Sequence, residues 1–77
     1  MSAGFDADPL RQAVEETIAA HPGVVRRWIE NQPGAWGFLA GQGILAYRRN
    51  LGRRLADAER RALWHALWTT LETLRGG

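Results

Sequence analysis

Residues 33–50 read P-G-A-W-G-F-L-A-G-Q-G-I-L-A-Y-R-R-N, and the fold turns on what this stretch is. It is apolar on nearly every side, yet it carries Gly34, Gly37, Gly41 and Gly43, and it runs out into Arg48-Arg49. Wound at 100° per residue, Gly34, Gly37, Gly41, Ile44 and Arg48 share one side, with Trp36, Ala40, Gly43, Tyr47 and Leu51 beside them. Gln42, Arg49 and Asn50 mark a narrow polar strip, which Leu39 and Ala46 interrupt. A helix apolar almost all round belongs in the middle of a bundle. Each interior glycine costs a helix about 0.8–1 kcal/mol relative to alanine, so something must need the missing side chains. Close approach of a neighbouring helix at Gly37 and Gly41 would supply that need, with Phe38, Leu39 and, from the preceding helix, Trp28 packing around it. Gly52 is the expected C-terminal stop.

The flanking segments read as shorter helices. Asp8-Pro9 is an N-cap and first-turn pair, since proline loses nothing where the N–H is already unpaired. Leu10, Val14 and Ile18 recur at helical spacing beyond it, with Ala13 and Thr17 alongside and Glu15 and Glu16 facing away. Pro22 ends that helix and begins the next, in which Val24, Val25, Trp28 and Ile29 oppose Arg26, Arg27 and Glu30. Asn31-Gln32-Pro33-Gly34 is turn chemistry. After the central stretch, Asp57 is the expected N-cap of a last helix whose broad apolar face is Leu63, Trp64, Leu67, Trp68, Leu71 and Leu74. No run alternates as a strand does. The expectation is therefore all-α: one domain, a small bundle of four short helices at 9–20, 23–31, 34–51 and 58–75, preceded by a disordered segment at 1–7. The tryptophans of the second and fourth helices should pack around the third.

Composition narrows the function. A chain of 77 residues has room for one core, and buries only about 60–65% of the surface its unfolded form exposes. With no cysteine there is no disulfide or thiolate zinc site, and two histidines alone complete no metal site. No apolar run is long enough to span a bilayer, and the acidic start M-S-A-G-F-D-A-D lacks the apolar core of a signal peptide. A soluble cytoplasmic protein without a cofactor is expected.

Two short motifs fail on context. Gly41-Gln42-Gly43-Ile44-Leu45-Ala46 fits the G-x-G-x-x-A dinucleotide pattern, but that pattern needs a preceding strand and an acid about 20 residues on, and Asp57 comes too early. Leu74-Arg75-Gly76-Gly77 matches the end of a ubiquitin-like modifier, but those proteins share a β-grasp fold, and helix-end chemistry explains the glycines as well. For catalysis, Ser2 is the sole serine, and His65 shares a solvated helix face with Arg61 and Glu72. A nucleophile, a base and an orienting group do not converge, so no enzyme is expected.

Charge is the stronger signal. All ten basic residues are arginine. Residues 1–20 hold Asp6, Asp8, Glu15 and Glu16 against Arg11, whereas residues 21–61 hold eight arginines against Glu30, Asp57 and Glu59. The formal total of +2 thus hides a basic middle, where an acidic partner would dock. Arg48-Arg49, Arg53-Arg54 and Arg60-Arg61 bracket the turn between the third and fourth helices, with Tyr47 and Trp64 on its flanks and Arg26-Arg27 as a further edge. Guanidinium groups grip phosphates bidentately, and aromatic rings stack on unpaired bases. Base composition alone offers a plainer account of the arginines, as solvated helix faces in a chain without lysine.

The run from His21 to Ile44, H-P-G-V-V-R-R-W-I-E-N-Q-P-G-A-W-G-F-L-A-G-Q-G-I, resembles without a gap the helical tail of the GatB/YqeY family. That tail ends the GatB component of the aspartyl/glutamyl-tRNA amidotransferase and occurs in freestanding YqeY-like proteins. The fitting positions are Pro22, Val25, Trp28, Ala35, Gly37, Phe38, Leu39, Gly41 and Gln42. The departures are His21 for the usual asparagine, Gly43-Ile44 for valine-methionine, and the loss of a following lysine-rich motif, although Arg48, Arg49, Arg53 and Arg54 keep the region basic. The resemblance implies a small non-catalytic helical module that contacts tRNA. On that footing the expected partner is tRNA or another RNA, held by Arg48, Arg49, Arg53, Arg54, Arg60 and Arg61, with Gln42 orienting a loop or touching the RNA. The rival expectation is a protein-interaction module or homodimer with an exposed tryptophan patch, or an accessory to an amidotransferase-like complex.

Overall fold

A computed structural model describes residues 8–76, and it contains four α-helices and no strand among them: α1 (Pro9–Ala20), α2 (Pro22–Ile29), α3 (Ala35–Leu51) and α4 (Asp57–Gly76). The segment 1–7, expected to be disordered, lies outside the described residues. No helix is long and apolar enough to cross a membrane, among the residues described.

Local chemistry sets the breaks. The Asp8 carboxylate accepts the Leu10 N–H at 3.0 Å, and Pro9 occupies the first turn, so α1 begins where the cap signal lies. The single residue His21 links α1 to α2. α2 stops at Ile29, two residues short of the expected end, because the chain turns there in a Schellman motif. Asn31 takes a left-handed φ of 61°, the Gln32 N–H reaches the Arg27 carbonyl at 2.9 Å and the Asn31 N–H reaches that of Trp28 at 2.9 Å. Asparagine is among the few side chains that tolerate this conformation. At the far end of α3, Gly52 adopts φ 74° and donates its N–H to the Arg48 carbonyl at 2.8 Å. The stop predicted at this glycine is the one observed.

α4 starts differently from the expectation. Its flanking residue is Ala56, whose carbonyl accepts the Arg60 N–H at 3.0 Å, and the Glu59 carboxylate reaches back to the Ala56 N–H at 2.8 Å. This is the carboxylate half of a capping box. Asp57 is the first helical residue, not the cap, and its carboxylate is ion-paired with Arg60.

α3 is the central element, packed against α1, α2 and α4. α1 runs antiparallel to it, and the Asn50 side chain donates to the Pro9 carbonyl at 3.4 Å. α4 also runs antiparallel, placing Leu63 and Leu67 over Gly43 and Trp68 beside Trp36. The core gathers Ala13 and Val14, Val25 and Trp28, Ala35, Leu39, Ala46 and Tyr47, and Leu63, Leu67 and Leu71. In α1 the buried seam is Ala13, Val14 and Thr17, with Leu10 and Ile18 at its edges. Thr17 satisfies its hydroxyl by donating to the Ala13 carbonyl at 2.8 Å, which lets a polar residue sit in the core.

Two packing expectations are corrected. The glycine that admits a neighbouring helix is Gly43: a Cβ there would stand 3.2 Å from Leu63 Cδ2 and 3.5 Å from Leu67 Cδ2. Gly37 and Gly41 are exposed, and a Cβ on either would meet nothing within 4 Å. The same rotation of α3 leaves Phe38 outside the core at 43% exposure, while Leu39 is fully buried and Trp28 nearly so. On α4 the core side is Leu63, Leu67 and Leu71, whereas Trp64, Trp68 and Leu74 stay exposed. Trp68 nevertheless meets Trp28 and Trp36 edge to face, at centroid distances of 5.2 and 5.1 Å.

Candidate nucleic-acid interface

The arginines predicted to bind phosphate come from three pieces of chain. Arg48 and Arg49 lie in the last turn of α3, where cations suit the negative end of the helix dipole. The left-handed turn at Gly52 then reverses the chain into Arg53 and Arg54, and half-buried Leu55 pins the connection onto the core. Arg60 and Arg61 follow in the first turns of α4.

Their side chains are not equivalent. Arg53 is clamped by Glu59: Nη1 donates to Oε1 at 2.9 Å and Nη2 to Oε2 at 2.7 Å, and Nη1 also donates to the Arg54 carbonyl at 3.1 Å. Arg60 pairs with Asp57, and Arg49 with Glu16 at 3.5 Å. Arg48, Arg54 and Arg61 form no ion pair among the described residues.

Two of those three converge. Arg48, Arg54 and Arg60, with Ile44 and Leu55, line a cleft of 330 Å³. On the other side of Arg48 and Arg54 lies a second cleft of 390 Å³, bounded by Arg49, Arg53, Gly52 and Leu45. Arg48 and Arg54 thus stand between two adjoining hollows, and the pairs on Arg53 and Arg60 hold the surrounding guanidinium groups in place. Arg61 is exposed on α4 and borders neither cleft, nor do Arg26 and Arg27 on α2.

Gln42 is elsewhere. It is half-buried in a groove of 520 Å³ between the end of α1 and α3, shared with Glu16, His21, Leu45 and Arg49. The structure therefore keeps Gln42 out of the Arg48–Arg54–Arg60 cleft, while Leu45 and Arg49 line both Gln42's groove and the second cleft. Among the described residues, no three of histidine, cysteine, aspartate and glutamate gather where they could hold a metal ion.

Sequence reading missed Glu59 as the residue that organises this surface. Its spacing to Ala56 is that of a capping box, but alanine lacks the hydroxyl that normally flags one. The Arg53 hydrogen bonds, followed by the one from the Ala56 N–H, lower the Glu59 pKa to about 2. Beside it, burial pushes the Tyr47 phenol above its ordinary value, and the nearby Glu59 and Asp8 charges add to the effect. Because the folded carboxylate of Glu59 titrates lower than in the unfolded chain, its contribution to stability is complete above an unfolded value of about 4.3 and is lost as pH falls through about 2. Glu59→Gln keeps an oxygen for the Ala56 N–H but removes the charge. We expect its unfolding midpoint to lie below that of the parent at neutral pH, with the gap closing as pH drops toward 2. Thermal unfolding at a series of pH values checks this; a constant gap would contradict it.

Comparison of the chain with protein-family models, with curated proteins and with solved structures finds no match.

Proposed function

We propose that this domain is a non-catalytic RNA-binding module, cytoplasmic in setting, that holds the phosphate backbone through the hairpin between α3 and α4. One observation carries the reading: Arg48 and Arg54, without carboxylate partners among the described residues, line one cleft together with Arg60. Arginine without an internal partner keeps its planar fork for a phosphate, and the fork binds two oxygens at once. Arg49, Arg53 and Arg60 add charge around the cleft through pairs that are solvent-exposed on the arginine side, so they can be shared with a phosphate. The resemblance of residues 21–44 to the tRNA-contacting tail of the GatB/YqeY family supports the same reading, with tRNA as the first RNA to try.

Fluorescence anisotropy with labelled tRNA over a salt series tests it. The logarithm of the association constant should fall linearly with the logarithm of salt, at a slope of about −0.7 to −0.9 per phosphate neutralised. The Arg48→Ala/Arg54→Ala double variant should weaken binding and flatten that slope by about 1.4–1.8. Arg61→Ala should change it less. Salt-independent binding, no binding, or a double variant indistinguishable from the parent would overturn the reading.

A second reading rests on the outer face of α3. Phe38 and Leu45 are 43% and 50% exposed there, alongside the uncovered Gly37 and Gly41. Such a strip suits a partner helix or a second copy of the chain, as in a homodimer or an accessory protein of a larger complex. Sedimentation at several concentrations tests it: association that Leu45→Glu abolishes would favour this reading over the first.

A further inference from the structure

Resting on the RNA-binding reading, we infer that the nucleic acid held here is single-stranded, and that Trp64 stacks one of its unpaired bases beside the Arg48–Arg54–Arg60 cleft. The four tryptophans divide unequally. Trp28 is buried, with the Arg75 guanidinium over its ring at 4.4 Å and Trp68 at its edge. Trp36 also meets Trp68 edge to face. Trp64 has no ring or cation partner among the described residues, and 39% of it is exposed.

Its position on α4 gives that exposure a use. Trp64 follows Arg60 by four residues and Arg61 by three, so all three share one helix face. Helical side chains lean toward the N-terminus of their helix, which directs the indole back over the turn that carries both arginines. Arg60 is itself a wall of the cleft that Arg48 and Arg54 enter. A stacking surface and a phosphate grip therefore lie about one helical turn, ~6 Å, apart along α4. A duplex hides the faces of its bases, and a single strand or loop offers them. Every base has a π face, so this arrangement selects for strandedness more than for sequence.

The test compares a labelled oligouridylate with a blunt RNA duplex of the same length, using the full chain and the Trp64→Ala and Trp64→Phe variants. Anisotropy reads affinity, and circular dichroism confirms that each variant is folded. The single strand should bind more tightly than the duplex. Trp64→Ala should lose about tenfold or more in affinity for it, Trp64→Phe should keep most, and the salt slope should stay unchanged in both because the phosphate contacts remain. Equal binding of strand and duplex, or an unaffected Trp64→Ala variant, with the salt slope of the parent retained, overturns this inference and leaves the RNA reading standing. Absence of salt-dependent binding to both RNAs and to tRNA overturns that reading and the inference with it. Concentration-dependent self-association that Trp64→Ala removes, without any RNA binding, would assign the indole to a protein contact and also overturn it.

Discussion

Truncating Leu39 to alanine is expected to cost about 2–5 kcal/mol of stability, the range for removing a buried leucine where the surroundings cannot fully collapse. Leu39 is fully buried in the middle of the central helix, at the junction of the core. For 77 residues the total stability should be about 4–12 kcal/mol, so this one change could remove half of it. Leu45, on the same helix but 50% exposed, gives the control: Leu45→Ala should stay within about 0.5 kcal/mol of the parent. Denaturant unfolding separates them, since the Leu39 variant should shift the midpoint strongly with little change in slope. Comparable midpoints for the two variants would mean that Leu39 does not anchor the core from the inner side of α3.

How far these features are readable from sequence differs by kind of signal. The four helices and most of their ends are legible because the signals are local: Asp8-Pro9 caps and starts a helix, Gly52 stops one, and the spacing of Leu63, Leu67 and Leu71 needs no knowledge of distant chain. The rotation of α3 is not legible. Phe38 and Leu39 differ little in polarity, and glycine carries no side chain to report a face, so a helix apolar all round leaves its inner and outer sides to be decided by its neighbours. Only the arrival of Leu63 and Leu67 distinguishes Gly43 from Gly37 and Gly41. The same limit applies to the arginines. Their clustering is written in the sequence, but Arg53 is held by Glu59 six residues on, across a turn, and Arg48 and Arg54 come together only because Gly52 reverses the chain. Asp57 reads as the cap because it has the favoured side chain, whereas Glu59 performs the backbone contact from inside the helix.

The glycines of α3 give the sharpest test of that packing, because the same substitution should stabilise at two positions and fail to at the third. In an exposed helix interior, glycine to alanine gains about 0.8–1 kcal/mol. Gly41→Ala should realise that gain, since its new methyl group meets open space. It should raise the melting temperature by about 4–8 °C for each kcal/mol gained. Gly37→Ala, in the first turn of α3, should gain less but keep the same sign. Gly43→Ala brings the same intrinsic preference but sets its Cβ 3.2 Å from Leu63 Cδ2, and both Leu63 and Leu67 are fully buried with little freedom to retreat. Overpacking of a filled core costs about 1–3 kcal/mol, enough to cancel the propensity gain or exceed it. Gly43→Leu pushes three further carbons into the same space and should force α3 and α4 apart, destabilising the domain beyond any compensation. The expected order of melting temperatures is therefore Gly41→Ala above the parent, Gly43→Ala at or below it, and Gly43→Leu far below. A Gly43→Ala variant stabilised as much as Gly41→Ala would show that the leucines have room, and the close approach of α4 would then not be what requires glycine at this position.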